Sequence, residues 1–271
     1  MVKIGVLVNL DCNVVNEIKK VHDMGFEVCQ LSCWNMGAYS DEIADAVNNA
    51  CKEYNVTVST LWCGWPGPGE WDLYDGPLTL GLVPESYRWD RINHIKNGSD
   101  FAKKIGVVNV ATHVGFLPEC PNTTEYRSLI NALRHLANYL KNNGQYLLFE
   151  TGQETPVTLR RTLEDIGTDN LGINLDPANL ILYGKGNPVD ALDVFGKYVR
   201  DMHGKDGFYP TDGKNLGEEV PVGQGKVNFP ALIAKLKELG YDGTINIERE
   251  IQGEKQIEDI KNAREYLEKL I

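Results

Sequence analysis

Tyr146-Leu147-Leu148-Phe149-Glu150 and, after one intervening helical stretch, Leu171-Gly172-Ile173-Asn174-Leu175-Asp176 are short apolar runs that each close on a carboxylate. Two more runs of the same kind follow, Tyr198-Val199-Arg200-Asp201-Met202-His203 and Thr244-Ile245-Asn246-Ile247-Glu248. Their length, β-branched content and polar flanks read as buried strands rather than helices. Working back toward the N-terminus, the signature recurs at Ile4–Asn9, Val28–Cys33, Val56–Trp62 and Val107–His113, which makes eight strand candidates. Helical patterns alternate with them, and several carry clear punctuation. Ser40 stands as N-cap before Asp41-Glu42-Ile43, and Asn187 caps a helix entered by Pro188. Asn228 caps a helix holding Leu232, Ile233, Leu236 and Leu239, which Gly240 closes. The last helix runs from about Lys255 to Leu270.

Eight βα units in 271 residues predict an α/β fold, a single (β/α)8 TIM barrel occupying 1–271 as one domain. Such barrels ordinarily take about 250 residues. An open doubly wound sheet would usually offer a glycine-rich phosphate turn after an early strand. Val6-Leu7-Val8-Asn9-Leu10-Asp11 carries no GxGxxG, and no GxxxxGK[ST] occurs anywhere. Two segments are too long to be plain connections: Cys63 to Trp89, with Trp65, Trp71 and Tyr74, and Gly204 to Val227, rich in Gly, Asp and Lys. Both follow strands on the C-terminal face, where barrel enzymes keep their active sites.

In a barrel, the ends of four successive strands are neighbours on one rim. Glu150, Asp176, His203 and Glu248 then bring three carboxylates and one imidazole into a shared volume. Bare carboxylates so placed repel one another and take up protons, and a divalent cation resolves the conflict. The mixed oxygen and nitrogen donors suit one Mn²⁺, with Mg²⁺, Co²⁺ or Zn²⁺ as alternatives. Any single Asp or Glu ending a strand reads as a helix cap or a solvated charge. Four in succession with ligating chemistry read as a metal site.

The motifs Phe149-Glu150-Thr151-Gly152-Gln153-Glu154, Asn174-Leu175-Asp176-Pro177-Ala178-Asn179, His203-Gly204-Lys205-Asp206-Gly207, Val222-Gly223-Gln224-Gly225 and Gly240-Tyr241-Asp242-Gly243 with Ile247-Glu248 carry a likeness. In order and spacing they resemble the xylose isomerase-like sugar phosphate isomerase/epimerase superfamily, which includes ketose 3-epimerases and inosose isomerases and dehydratases. The resemblance spans nearly the whole chain and is strongest from Glu150 to Glu248. It implies a metal held by Glu150, Asp176, His203 and Glu248, with Glu150 and Glu248 doubling as a general acid/base pair on opposite faces of a ketose or related polyol. A cation chelated by a carbonyl and its neighbouring hydroxyl acidifies the α C–H and stabilises an enediolate. One carboxylate then removes the proton and the other returns it. A metal-dependent lyase or dehydratase, eliminating β to a keto group of a keto-sugar, keto-glycoside or inosose, needs the same metal and base and stays open beside the isomerase. The chain departs from ketose 3-epimerases where those carry a histidine three residues after the metal aspartate and an arginine six after the metal histidine; here these are Asn179 and Tyr209.

Further substrate contacts are expected from His113 at the end of strand 4 and from Lys205, two residues past His203 and so on the same strand face. Glu154, Asn179 and Trp62 are expected to line the pocket, Trp62 as an aromatic wall with Trp65 and Trp71. His22, His94 and His135 lie in helical patterns and read as packing or surface residues.

Composition narrows the partners. A formal charge of −11, from 38 acidic and 27 basic side chains, repels phosphate backbones and argues against nucleic acid. A small-molecule sugar or polyol is the expected partner, and a homo-oligomer is left open. No apolar run approaches membrane-spanning length, and the first strand begins almost at once, leaving no room for a signal peptide. Six cysteines without a CxxC pair read as reduced thiols. The expected location is the cytoplasm.

Overall fold

The computed structural model describes residues 2–271. Eight parallel strands close into a barrel: β1 (Lys3–Asn9), β2 (Val28–Cys33), β3 (Thr57–Cys63), β4 (Asn109–Thr112), β5 (Tyr146–Glu150), β6 (Leu171–Leu175), β7 (Val199–Gly204) and β8 (Thr244–Ile247). Each strand pairs with its sequence neighbours, and β1 pairs with β8 to complete the ring. Helices cover the outside while side chains fill the inside, so a strand such as β2 is buried along its whole length.

Helices follow every strand, with a short extra one after β3 (Gly76–Thr79) and after β6 (Pro177–Leu182). The expected caps are present. Ser40 accepts from the Ile43 N–H, Asn187 from those of Val189 and Asp190, and Asn228 from that of Ala231. Strand ends differ from the sequence reading by a residue. His113, Asp176 and Glu248 lie just past their strands, and His203 sits one residue inside its own. At Asp176 the reason is local. Its side chain caps the helix entered by Pro177, so the backbone has already left the sheet.

The two long segments become ordered walls. The segment after β3 ends at Pro84, because the helix Glu85–Lys104 begins earlier than Trp89. Arg91 of that helix is fully buried and donates to the carbonyls of Pro66, Pro68, Thr79 and Gly81 at 2.6–3.2 Å. The segment after β7 folds around buried Asp206, whose carboxylate accepts from the N–H groups of Gly207, Gly223, Gly225 and Val227 at 2.9–3.0 Å. Gly225 is required there, because a Cβ would lie 2.1 Å from Asp206 Oδ1. The walls meet where the Leu73 N–H donates to the Lys214 carbonyl at 2.7 Å.

All six cysteines are unbridged, with Cys29, Cys33 and Cys63 buried. No helix among the described residues is long and apolar enough to cross a membrane.

Candidate active site and metal centre

Strand periodicity stacks the barrel interior into layers, since every second residue points inward. β7 and the chain beyond it present Asp201, His203 and Lys205, and β8 and the chain beyond it present Asn246, Glu248 and Glu250. In the lowest layer, buried Asp201 accepts from Ser59, Thr244 and Asn246 at 2.9–3.0 Å and also from Thr60. One layer up, His203 Nδ1 lies 3.0 Å from Glu248 Oε2, 3.5 Å from Glu150 Oε1 and 3.6 Å from Asp176 Oδ2. At the rim, Lys205 Nζ lies 2.8 Å from Glu250 Oε1 and 3.3 Å from Glu248 Oε2.

The fit of this cluster to a metal ion can be tested on its own atoms. One ligand atom from each of Glu150, Asp176, His203 and Glu248 falls within 4.8 Å of the others. His203 Nδ1, Asp176 Oδ2 and Glu248 Oε2 are buried without a hydrogen-bond partner, close together but not aligned as bonds. Three orphaned atoms from three strands aimed at one point are costly to leave bare, and a cation would satisfy them together.

Neighbours hold each donor in place. Asp176 Oδ1 accepts from the Asn179 N–H at 2.9 Å, so capping occupies one oxygen and leaves the other free. His203 Nε2 lies 2.6 Å from Gln30 Oε1 and 3.0 Å from Asn174 Nδ2. With Nε2 donating to Gln30, loss of the Nδ1 proton would leave that lone pair facing the cluster for a cation. Glu150 accepts from the Trp62 indole N–H and from Asn179 Nδ2 at 3.3 Å, and His113 Nε2 lies 3.3 Å away.

The electrostatics follow. Burial alone would raise the Glu150 and Glu248 carboxyls. His113 and His203 instead hold Glu150 below the usual carboxylate range, and Lys205 and His203 hold Glu248 well below it. Burial opposes charge on His203 and Lys205 as well, but Glu150 and Glu248 keep His203 well above its usual value, and Glu248 and Glu250 do the same for Lys205. For His113, burial is outweighed by Glu150, and the ring is raised.

Above the cluster opens a cavity of about 420 Å³. Glu150, Glu248, His113, Lys205, Asn179 and Trp62 all line it. Glu154 does not: it is buried beside His113, and burial pushes its carboxyl up to about 8. Tyr209, at the position where ketose 3-epimerases carry arginine, is exposed and donates to the Gly186 carbonyl, off the cavity wall. Four residues not singled out from the sequence also belong here: Gln30 and Asn174 behind His203, and Glu250 and Trp34 on the cavity wall. Trp34 and Glu250 follow from the same alternation, two residues beyond Ser32 and Glu248.

A closed parallel barrel with this rim defines a class, and the chain belongs to the xylose isomerase-like TIM-barrel family, whose description it matches over residues 18–270. It is similar to a xylose isomerase domain protein from Planctomyces limnophilus, at 35% identity with a TM-score of 0.93, covering 99% of this chain and 97% of that one. It is 29% identical over 208 residues to an uncharacterized protein of Methanocaldococcus jannaschii, covering 72% of this chain and 67% of the relative. A 3-keto-D-glucoside 4-epimerase from E. coli shares the fold, with a TM-score of 0.74 at 16% identity, covering 99% of this chain and 100% of that one.

Proposed function

We propose that this protein is a divalent-metal-dependent epimerase or isomerase of a keto sugar, with Glu150 and Glu248 as its acid/base pair and Mn²⁺ as its preferred ion. The convergence of Glu150, Asp176, His203 and Glu248, with three of their atoms orphaned, carries this reading. A cation bound there would acidify the C–H beside the carbonyl and stabilise the enediolate. The protein's own groups do the rest. Glu150 and Glu248 reach the cavity from β5 and from beyond β8, with β6 and β7 between them, which suits attack from two faces of a bound sugar. Each has a proton-bearing neighbour, His113 at 3.3 Å from Glu150 and Lys205 at 3.3 Å from Glu248. These neighbours keep the carboxylates ionised and bind substrate oxygens. Return of the proton to the opposite face epimerises the carbon; return through the neighbouring oxygen isomerises it. Because a 3-keto-D-glucoside 4-epimerase shares the fold, keto-glycosides stand beside free ketoses as substrates to test.

The test is turnover in D₂O with Mn²⁺-loaded protein and a panel of ketoses and keto-glycosides, read by NMR and mass. Deuterium is expected at the carbon next to the carbonyl, in a product of otherwise unchanged mass. Product without label would point to a hydride shift, and a product lighter by water or an alcohol to the lyase chemistry that shares this base.

A further inference from the structure

We infer that the mouth of the cavity is a second-ring subsite, in which Trp34 and Trp71 take the C–H face of an uncharged sugar unit joined glycosidically to the keto sugar. The inference rests on the acid/base reading of Glu150 and Glu248 and names its substrate class. Trp34 and Trp71 are 49% and 42% exposed, whereas Trp62 and Trp65 beside them are buried. The four indoles form one cluster, with Trp34 centred 5.0 Å from Trp62, 5.4 Å from Trp65 and 6.2 Å from Trp71. Trp71 is centred 5.4 Å from His113, which touches Glu150. A ring lying on Trp71 is therefore next outward from a ring over the acid/base pair.

Both indoles are built into place. Trp34 lies on Gly64, where a Cβ would come within 2.4 Å of its ring although the Gly64 backbone is not in the left-handed region. Trp71 rides on the segment whose two ends Arg91 ties together through four carbonyls. Indole faces stack well on the C–H surface of a pyranose.

The remaining lining selects against charge. Among the described residues Lys205 is the one lysine or arginine on the cavity wall, and its ammonium already faces Asp176, Glu248 and Glu250. A phosphate would meet a surplus of carboxylates, whereas sugar hydroxyls can donate to Glu250, whose side chain is 59% exposed. A flat apolar face beside free acceptors matches a second sugar ring better than a phosphate or a purely apolar group.

Calorimetry on the Mn²⁺-loaded protein tests this with methyl 3-keto-α-D-glucopyranoside, its 6-phosphate, 3-keto-trehalose and unoxidised trehalose. The keto-disaccharide is expected to bind about tenfold more tightly than the methyl glycoside, and the phosphate more weakly than either. Trp34→Ala and Trp71→Ala should each shrink the disaccharide preference roughly three- to tenfold, with Trp34→Tyr restoring most of it. Equal binding of methyl glycoside and disaccharide, a preference untouched in both alanine variants, or tighter binding of the phosphate overturns the subsite. The two readings fail separately. Trp34-dependent binding of trehalose with neither keto compound bound would sink the keto-sugar function and keep the subsite, and keto compounds bound without regard to Trp34 or Trp71 would do the reverse.

Discussion

Strands β5 to β8 and strands β2 to β3 deliver opposite chemistry to the same cavity. From β5 to β8 and the chain beyond them come Glu150, Lys205, Glu248 and Glu250, with Asp176 and His203 in the cluster beneath, all ionisable. From β2, β3 and the segment after β3 come Ser32, Trp34, Trp62 and Trp71, none charged, with Trp65 packed against Trp62 behind them. The alternation that points these side chains inward is the same on both sides, but what holds them differs. Glu150, His203, Lys205 and Glu248 stay ionised through one another, and Gln30, Asn174 and the layer around Asp201 support them from below. The aromatic side is held by packing, by Gly64 and by the Arg91 clamp. The charged half thus suits proton transfer and metal binding, and the aromatic half suits recognition.

The largest effect should come from the acid/base pair. Glu150→Gln and Glu248→Gln keep shape and one ligand oxygen but lose the proton acceptor. Steady-state kinetics should show kcat lower by at least ~10²-fold, with substrate binding largely retained. If Trp71→Ala lowered kcat as far as either Gln variant, the division between the halves would break.

Next come the metal and its support. His203→Ala should lower the metal content found by elemental analysis. Gln30→Leu, which touches no ligand but His203, should weaken metal affinity roughly 10–100-fold in a chelator competition. Without a cation His203 is held protonated, so metal binding must expel that proton. Apparent affinity should therefore rise with pH, and proton release should appear in weakly buffered titrations.

The border between the halves runs through Trp62, which belongs to the aromatic cluster yet donates its N–H to Glu150. Trp62→Phe keeps most of the ring and removes the donor. Turnover should fall about tenfold, in line with one hydrogen bond to a charged group. Losing a donor to a carboxylate raises its pKa, so the acid limb of the pH–rate profile should move to higher pH. An unshifted limb would make Trp62 a packing residue only.

How far the sequence reveals this site depends on which signal each residue carries. Glu150, Asp176, His203 and Glu248 were legible because each ends or nearly ends an apolar run, and chain order around a barrel makes those ends neighbours. Asp176 shows that capping and metal binding need not compete, since Asn179 takes one oxygen and leaves the other. Trp34 and Glu250 follow the same alternation but lie beyond the apolar runs, where nothing in the sequence says that the inward pattern continues. Gln30 and Asn174 sit within strands, and a polar residue there looks the same whether it hydrogen-bonds the backbone or aims a histidine. Arg91 was out of reach for another reason: its carbonyl partners lie in a segment with no periodicity to read.

The smallest effect on turnover is expected behind the wall, at Glu154. It is buried beside His113, lines no part of the cavity, and its Oε1 has no hydrogen-bond partner. Burial pushes its carboxyl from 4.5 up to about 8, so the neutral acid is the form the fold prefers. A carboxyl that holds its proton more tightly folded than unfolded contributes stability at low pH and loses it as pH rises through the folded value. The wild type should accordingly lose stability between about pH 4.5 and 8 relative to Glu154→Gln, which is neutral throughout. Thermal unfolding of the two proteins should coincide near pH 5 and separate in favour of the Gln variant toward pH 8.5, with kcat changed little at either end. Curves that stay parallel across this range would mean that Glu154 is ionised in the fold. His113 would then be flanked by two carboxylates, Glu150 and Glu154, and the charged half of the rim would extend behind the aromatic half.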